Sequence, residues 1–270
     1  PNQLNDLAIK EPRKVYKILF DAAWSTMSTF GQTEGLQLGM IAILHTWGQN
    51  LSLHPHLHCI VPGGGIQSNK KWKRKIKSDK YLFSVKALSK VFRAKYVAFL
   101  RKEKLGDIQL FDSLFQSNWV VYAKRPFGGP KQVIEYLGRY THKVAISNHR
   151  LKNVTATQVT FQYKDYRSNG QNKQMVLTNQ EFIRRFSLHI LPKRFVRIRH
   201  YGILSSSWKR GKLQDLQKQL KVKRKESKPK TKHRLCYCCK EGNLITLALF
   251  GDRGPPKTYL FKSESKSPIN

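Results

Sequence analysis

Between residues 12 and 30, Val15, Ile18, Leu19, Ala22, Ala23, Met27 and Phe30 recur at helical spacing, with Pro12 suited to the first turn. Gly31 is expected just past the end of that helix. Residues 39–46 form a short apolar run, read as a buried strand. The run from His54 to Pro62 then has a period of two. Leu57, Cys59 and Val61 can face a core, while His56 and His58 leave the opposite side. The two runs are expected to pair as an antiparallel hairpin with a longer loop. Gly63, Gly64 and Gly65 close the stretch, and residues 72–78 alternate with lysines.

Residues 85–104 give a second amphipathic helix, capped by Ser84, with Val85, Leu88, Val91, Phe92, Phe99 and Leu100 in one stripe. The β-branched and aromatic content of residues 118–124 predicts a strand. A break at residues 125–129 precedes a helix opened by Pro130 and running to Tyr140. Strand-like runs follow at 144–146 and 159–163, with turns around Asn148 and Asn153 and a tight-turn signal at Asn169-Gly170. Thr178 is placed to cap a helix from Asn179 to about His189. Leu213, Leu216 and Leu220 give a short helix, and there are no internal repeats.

Charge changes this picture from a generic α/β domain to a polyanion binder. The chain has 270 residues, with 51 Lys+Arg against 16 Asp+Glu and a net charge of +35. Nucleic acid is the commonest partner of such a surface; an anionic membrane surface is the rival. No run reaches the roughly 18 apolar residues of a spanning helix, so no membrane role is expected. The cations concentrate on the second helix and on residues 193–202, where basic and aromatic residues interleave. That second pattern fits a strand laid along phosphates, or an edge strand protected by charge. Residues 221–232 are a basic run with almost no apolar side chain, read as a flexible tether or nucleic-acid arm. The four cysteines make no disulfide framework, which favours a reducing, cytoplasmic setting. The chain opens on Pro1, so it is expected to be part of a longer protein.

Three groups of residues carry candidate chemistry. His56 and His58 are half of a metal site, or a pair of satisfied cleft histidines. Gln49 could reach them as a third ligand, or could be an ordinary loop amide. Tyr136 and Tyr140 are four apart and share one helix face, as core aromatics or as nucleophiles near the metal side. Gly138 between them costs about 1 kcal/mol relative to Ala and suggests close approach of another backbone. Cys236 and Cys239 form a C-x-x-C pair, half of a possible structural Zn²⁺ site, with His233 and Cys238 as local candidates to add.

His56-Leu57-His58 resembles the His-hydrophobic-His motif of HUH endonucleases, and Tyr136 with Tyr140 resembles their two-tyrosine helix. The words around His45 to Asn50, His54 to Gly65, Tyr136 to Asn148 and Arg197 to Gly202 look like the rolling-circle transposases of bacterial insertion sequences and common-region elements. The resemblance runs from near residue 1 to about 215. It implies a ferredoxin-like antiparallel α/β domain with flanking helices (1–215), followed by a basic C-terminal segment with the C-x-x-C knuckle (216–270). It also implies an N-terminally truncated copy, lacking a Cys-rich domain and a first strand. The implied activity is nicking and rejoining of single-stranded DNA, with a Mg²⁺ or Mn²⁺ ion on His56, His58 and Gln49, and Tyr136 and Tyr140 as nucleophiles. His54 is a further ligand only if the strand stays extended through Pro55. Arg139, Lys143, Arg194, Arg197 and Arg199 are the expected DNA contacts, in a nucleoid-associated protein. A binding-only remnant and a plasmid replication initiator or relaxase are the alternatives. The oligomeric state leaves no readable mark on the sequence.

Overall fold

A computed structural model describes residues 1–75, 81–141, 144–222, 234–236 and 238–244. The chain divides into units Pro1–Val222 and Lys223–Asn270. In the first, a short 3₁₀ turn precedes α1 (Asn5–Lys10) and α2 (Pro12–Thr33); β1 (Gly39–Trp47), β2 (Leu53–Ile60), β3 (Gly64–Ile66) and β4 (Trp72–Arg74) follow. Then come α3 (Val85–Lys102), α4 (Ile108–Gln116) and α5 (Pro130–Thr141). A meander of β5 (Leu151–Val154), β6 (Gln158–Asp165) and β7 (Gln171–Thr178) leads to α6 (Asn179–Ser187), β8 (Ile198–Gly202), α7 (Ser206–Lys209) and α8 (Lys212–Gln219). The result is the mixed α/β architecture expected, with antiparallel sheets and flanking helices.

The sheet that matters for function has the order β2-β1-β8, antiparallel throughout. β1 is its centre and is buried along nearly its whole length. One face, with Met40, Ala42 and Leu44, packs into the main core with Val15, Leu19 and Phe20 of α2 and Tyr96, Val97 and Leu100 of α3. The opposite face carries the histidines. A second core, with Leu51, Ala145, Ile146 and Phe161, lies under the β5-β6-β7 sheet. Leu51 reaches it from the β1–β2 turn, fully buried and at φ 62°, a backbone region costly to a branched side chain. Arg150 ties these parts together: its guanidinium donates to the carbonyls of Gln162 (2.8 Å) and Gln49.

Local signals mostly behave as the physics of caps and turns requires. The Ser84 and Thr178 hydroxyls accept from the backbone N–H groups of Ala87 and Glu181, three residues on. Asn169 (φ 52°) and Gly170 (φ 76°) turn the chain between β6 and β7, inside a loop longer than a two-residue hairpin. Gly31, however, lies within α2 rather than beyond it, where a Cβ would meet the Leu36 carbonyl at 2.7 Å; Gly35 (φ 66°) follows the true end.

Residues 118–124 form no strand: the segment joins no ladder, and Val120 and Tyr122 are 88% and 80% exposed. Strand propensity measures fit to a pleated, half-buried surface, and this segment has no paired neighbour among the described residues. Residues 144–146 are likewise irregular, their apolar character serving the second core through Ala145 and Ile146. Asn153 sits inside β5 rather than in a turn. Gly138 faces open space, with nothing within 4 Å of where a Cβ would sit, so close backbone approach is not its reason. Of the lysine-rich run 72–78, the described part pairs with β3 as β4. Within 193–202 the strand begins only at Ile198. The expected short helix at the end of the unit is α8, with Leu216 buried beside Ile66 and Ile203.

In the second unit, β9 (Arg234–Leu235) and β10 (Asn243–Leu244) pair antiparallel on either side of the cysteine cluster. Leu44→Ala in the central strand should cost about 2–5 kcal/mol of stability, and Val120→Ala no more than about 0.5 kcal/mol, read from urea midpoints at constant slope.

Candidate metal and tyrosine site

Residues directly opposite in an antiparallel pair share a face, as do residues two apart on one strand. In the β1–β2 register His45 lies opposite His56, and Ile43 opposite His58. His45, His56 and His58 therefore converge, with potential ligand nitrogens all within 4.8 Å of one another. His45 is the member of the cluster that sequence reasoning missed. The signal was the hairpin register, which a residue count across the uncertain loop did not fix. His54 lies on the same extended strand, since β2 continues through Pro55, and its ring centroid is 5.2 Å from that of His56. Gln49 falls in the turn beyond β1, with its backbone carbonyl taken by Arg150.

The hydrogen bonds set the tautomers. A carbonyl can only accept, so His56 Nδ1 donates to the His54 carbonyl at 2.7 Å. The Nε2 atoms of His56 and His58 face each other at 3.2 Å. Two nitrogens bound at right angles to one ion, each at about 2.1 Å, would lie about 3 Å apart, so this spacing fits adjacent positions on a divalent cation. His45 Nε2 donates to the Tyr140 carbonyl at 2.9 Å, a bond of the kind that orients a ligating imidazole. Burial lowers the pKa of His56, which favours the neutral ring that a metal needs.

Helix α5 lies across this face and brings both tyrosines to it. The Tyr136 hydroxyl is 3.2 Å from His58 Nδ1. The Tyr140 ring lies over the His58 ring, centroids 4.0 Å apart, and 4.3 Å from the Tyr136 ring. Burial first, then the nearby Tyr140 and Cys59, push the Tyr136 hydroxyl up to about 12. Without help it is a poor nucleophile at neutral pH.

Arg197, expected at DNA, has its guanidinium on the Leu44 carbonyl (3.1 Å) and the Tyr140 carbonyl (3.1 Å), over the Trp47 ring. Arg199 lies on the core face, 4.2 Å over the Phe20 ring. Arg139 and Arg194 are exposed, and Lys143 lies outside the described residues. In the second unit, Gly242 N–H donates to Cys239 Sγ at 3.3 Å. Backbone N–H bonds, that of Gly242 foremost, and the Cys236 side chain lower the Cys239 pKa, as suits a thiolate ligand.

Three imidazoles of an antiparallel sheet, one buried and two half-buried, facing a helix with two tyrosines, make the class of site that could hold a metal ion. The comparisons with known proteins specify the class. Residues 39–212 match the family Y2_Tnp, "Putative transposase". The chain is 37% identical over 295 residues to "Putative transposase y4qJ" of Sinorhizobium fredii, covering 96% of this chain and 74% of that protein. It is 26% identical over 205 residues to "Transposase for insertion sequence element IS801" of Pseudomonas savastanoi pv. phaseolicola, covering 70% of this chain and 48% of that one. No solved structure matches. This chain belongs to the Y2_Tnp transposase family.

Burial also lowers the pKa of His54 and His189, as it does that of His56. Each folded-state value lies below the unfolded value near 6.5, so the unfolded chain binds more protons as pH falls through that value. Stability of the metal-free protein should therefore drop between pH 7.5 and 5.5. His189→Gln should flatten part of that drop in thermal melts; an unchanged slope would remove His189 from the account.

Proposed function

We propose that this chain nicks and rejoins single-stranded DNA in rolling-circle transposition, through a covalent 5′-phosphotyrosine link. The observation that carries the reading is the Tyr136 hydroxyl beside a histidine of the triad, at 3.2 Å. His45, His56 and His58 would hold a Mg²⁺ or Mn²⁺ ion, imidazole donors suiting Mn²⁺ better. Gln49 stays in this reading as an oxygen donor from the adjoining turn. The ion supplies Lewis acidity and orientation at the scissile phosphate. The Tyr136 oxygen gives up its proton to solvent and forms a bond to phosphorus, the bond from phosphorus to the 3′ oxygen breaks, and that oxygen leaves as a 3′-hydroxyl after taking a proton from solvent. A later 3′-hydroxyl reverses the step, so bond energy is retained without ATP. Tyr140 serves a second strand while the first remains attached.

The net charge of +35 supplies the attraction for a DNA backbone. Exposed Arg139 and Arg194 are the phosphate contacts in this reading, with Lys143 as a third, while Arg197 and Arg199 act through the fold. Lys124, 5.9 Å over the Tyr136 ring, and exposed Tyr122 add a cation and a stacking surface for unpaired bases in this reading. Cys236 and Cys239 give two thiolates of a structural Zn²⁺ site. The protein acts in the bacterial cytoplasm, at the nucleoid.

Incubation with a labelled single-stranded oligonucleotide and Mn²⁺ should transfer label covalently to the protein. Tyr136→Phe should reduce that label to background, whereas Tyr140→Phe should keep a single round of attachment. Retarded migration without covalent label would instead mark a binding-only protein. Tyr122→Ala should weaken single-strand binding by about 1–3 kcal/mol, measured by fluorescence anisotropy at fixed salt.

A further inference from the structure

The hydrogen bonds of the histidine cluster fix which ring nitrogens carry protons. In the metal-free protein three hydrogen bonds form one directed chain. His56 Nδ1–H donates to the His54 carbonyl at 2.7 Å, which leaves Nε2 of a neutral His56 as an acceptor. His58 Nε2–H must then be the donor across the 3.2 Å gap between the two rings. In the same neutral His58 ring, Nδ1 becomes an acceptor, and its partner at 3.2 Å is the Tyr136 hydroxyl. The phenol proton therefore points into the histidine cluster.

A cation on the facing Nε2 atoms cannot coexist with that arrangement, because His58 Nε2 must lose its proton to become a ligand. We propose that His58 has two jobs: it ligates the cation through Nε2 and, in its other tautomer, donates from Nδ1 to the Tyr136 oxygen. Loading the site thus reverses the direction of the Tyr136–His58 hydrogen bond. The exchange is proton-neutral: one proton leaves Nε2 for water and one arrives at Nδ1 from water. The phenol oxygen then accepts from His58, and its own proton is turned away from the cluster, toward an external acceptor. A donor aimed at an oxygen favours negative charge developing there. His58 would thereby couple occupancy of the metal site to readiness of the attacking oxygen. Without the ion, Tyr136 is held as a proton donor.

This inference rests on Tyr136 as the attacking residue, and its test is independent of DNA cleavage. The full chain, labelled with ¹⁵N in its imidazoles, is followed by long-range ¹H–¹⁵N correlation while diamagnetic Mg²⁺ is added; His58→Gln identifies the His58 signals. The expected result is a His58 Nδ1 shift of the acceptor type in metal-free protein, moving to the protonated type at saturation. The same Mg²⁺-dependent change should persist in Tyr136→Phe, since the ion imposes the tautomer. A His58 ring that is unchanged at saturating Mg²⁺, or already protonated at Nδ1 without it, would overturn the proposal. If the reversal occurs but no covalent DNA adduct forms through Tyr136, the hydrogen-bond switch stands and the nicking reading falls. If the adduct forms without the reversal, only the switch falls.

Discussion

The antiparallel pairing of β1 with β2, in the register that sets His45 opposite His56, is the constraint on which the rest of the site depends. A slip of one residue would send every side chain of one strand to the other face of the sheet. His45 would then enter the apolar core on the side of Leu100 while Leu44 left it, and the imidazole cluster would cease to exist. The register is protected because its alternate positions, Ala42 and Leu44 on β1 with Leu53 and Leu57 on β2, belong to the main core or pack against it. The same hydrophobic burial that stabilises the fold thus determines which way three histidines point. One strand separates the apolar core from the face that carries the histidines.

The tyrosine helix is held differently. No residue of α5 is buried, so ordinary core packing fixes it only weakly. Its docking depends on contacts at its C-terminal end and along one face. The Tyr140 carbonyl, in the last turn of the helix, accepts from His45 on β1 and from Arg197 just before β8. Tyr136 and Tyr140 then pack against each other and against the His58 ring, in tilted and edge-on arrangements. Two of the residues that hold the helix, His45 and His58, are also members of the histidine cluster. Positioning of the two tyrosines and assembly of the histidine cluster are therefore one structural problem, solved by the same side chains. The exposed outer face of α5, with Ile134 and Arg139, is left available to the DNA-facing side in the proposed reading.

Much of this was legible in the sequence because it rests on short-range rules. The period of two around His56, the four-residue spacing of Tyr136 and Tyr140, and the capping residues Ser84 and Thr178 all act over a few residues. What escaped depended on tertiary partners. His45 required the register of a hairpin whose loop length was uncertain. Arg197 has the sequence context of a phosphate contact, but folding presents it with two backbone carbonyls and an indole ring first. Residues 118–124 have strand composition without a neighbouring strand to pair with among the described residues. Gly138, read as a point of close contact, faces open space.

The central claim is that His45, His56 and His58 together bind one divalent cation beside Tyr136. The most direct measurement is pulsed electron paramagnetic resonance of Mn²⁺ bound to the full chain, which counts coordinated imidazole nitrogens. Couplings from three imidazoles are expected in the wild type and from two in His45→Ala, with weaker Mn²⁺ binding in the variant. Couplings unaffected by His45→Ala, or a bound Mn²⁺ with no imidazole nitrogen at all, would contradict it.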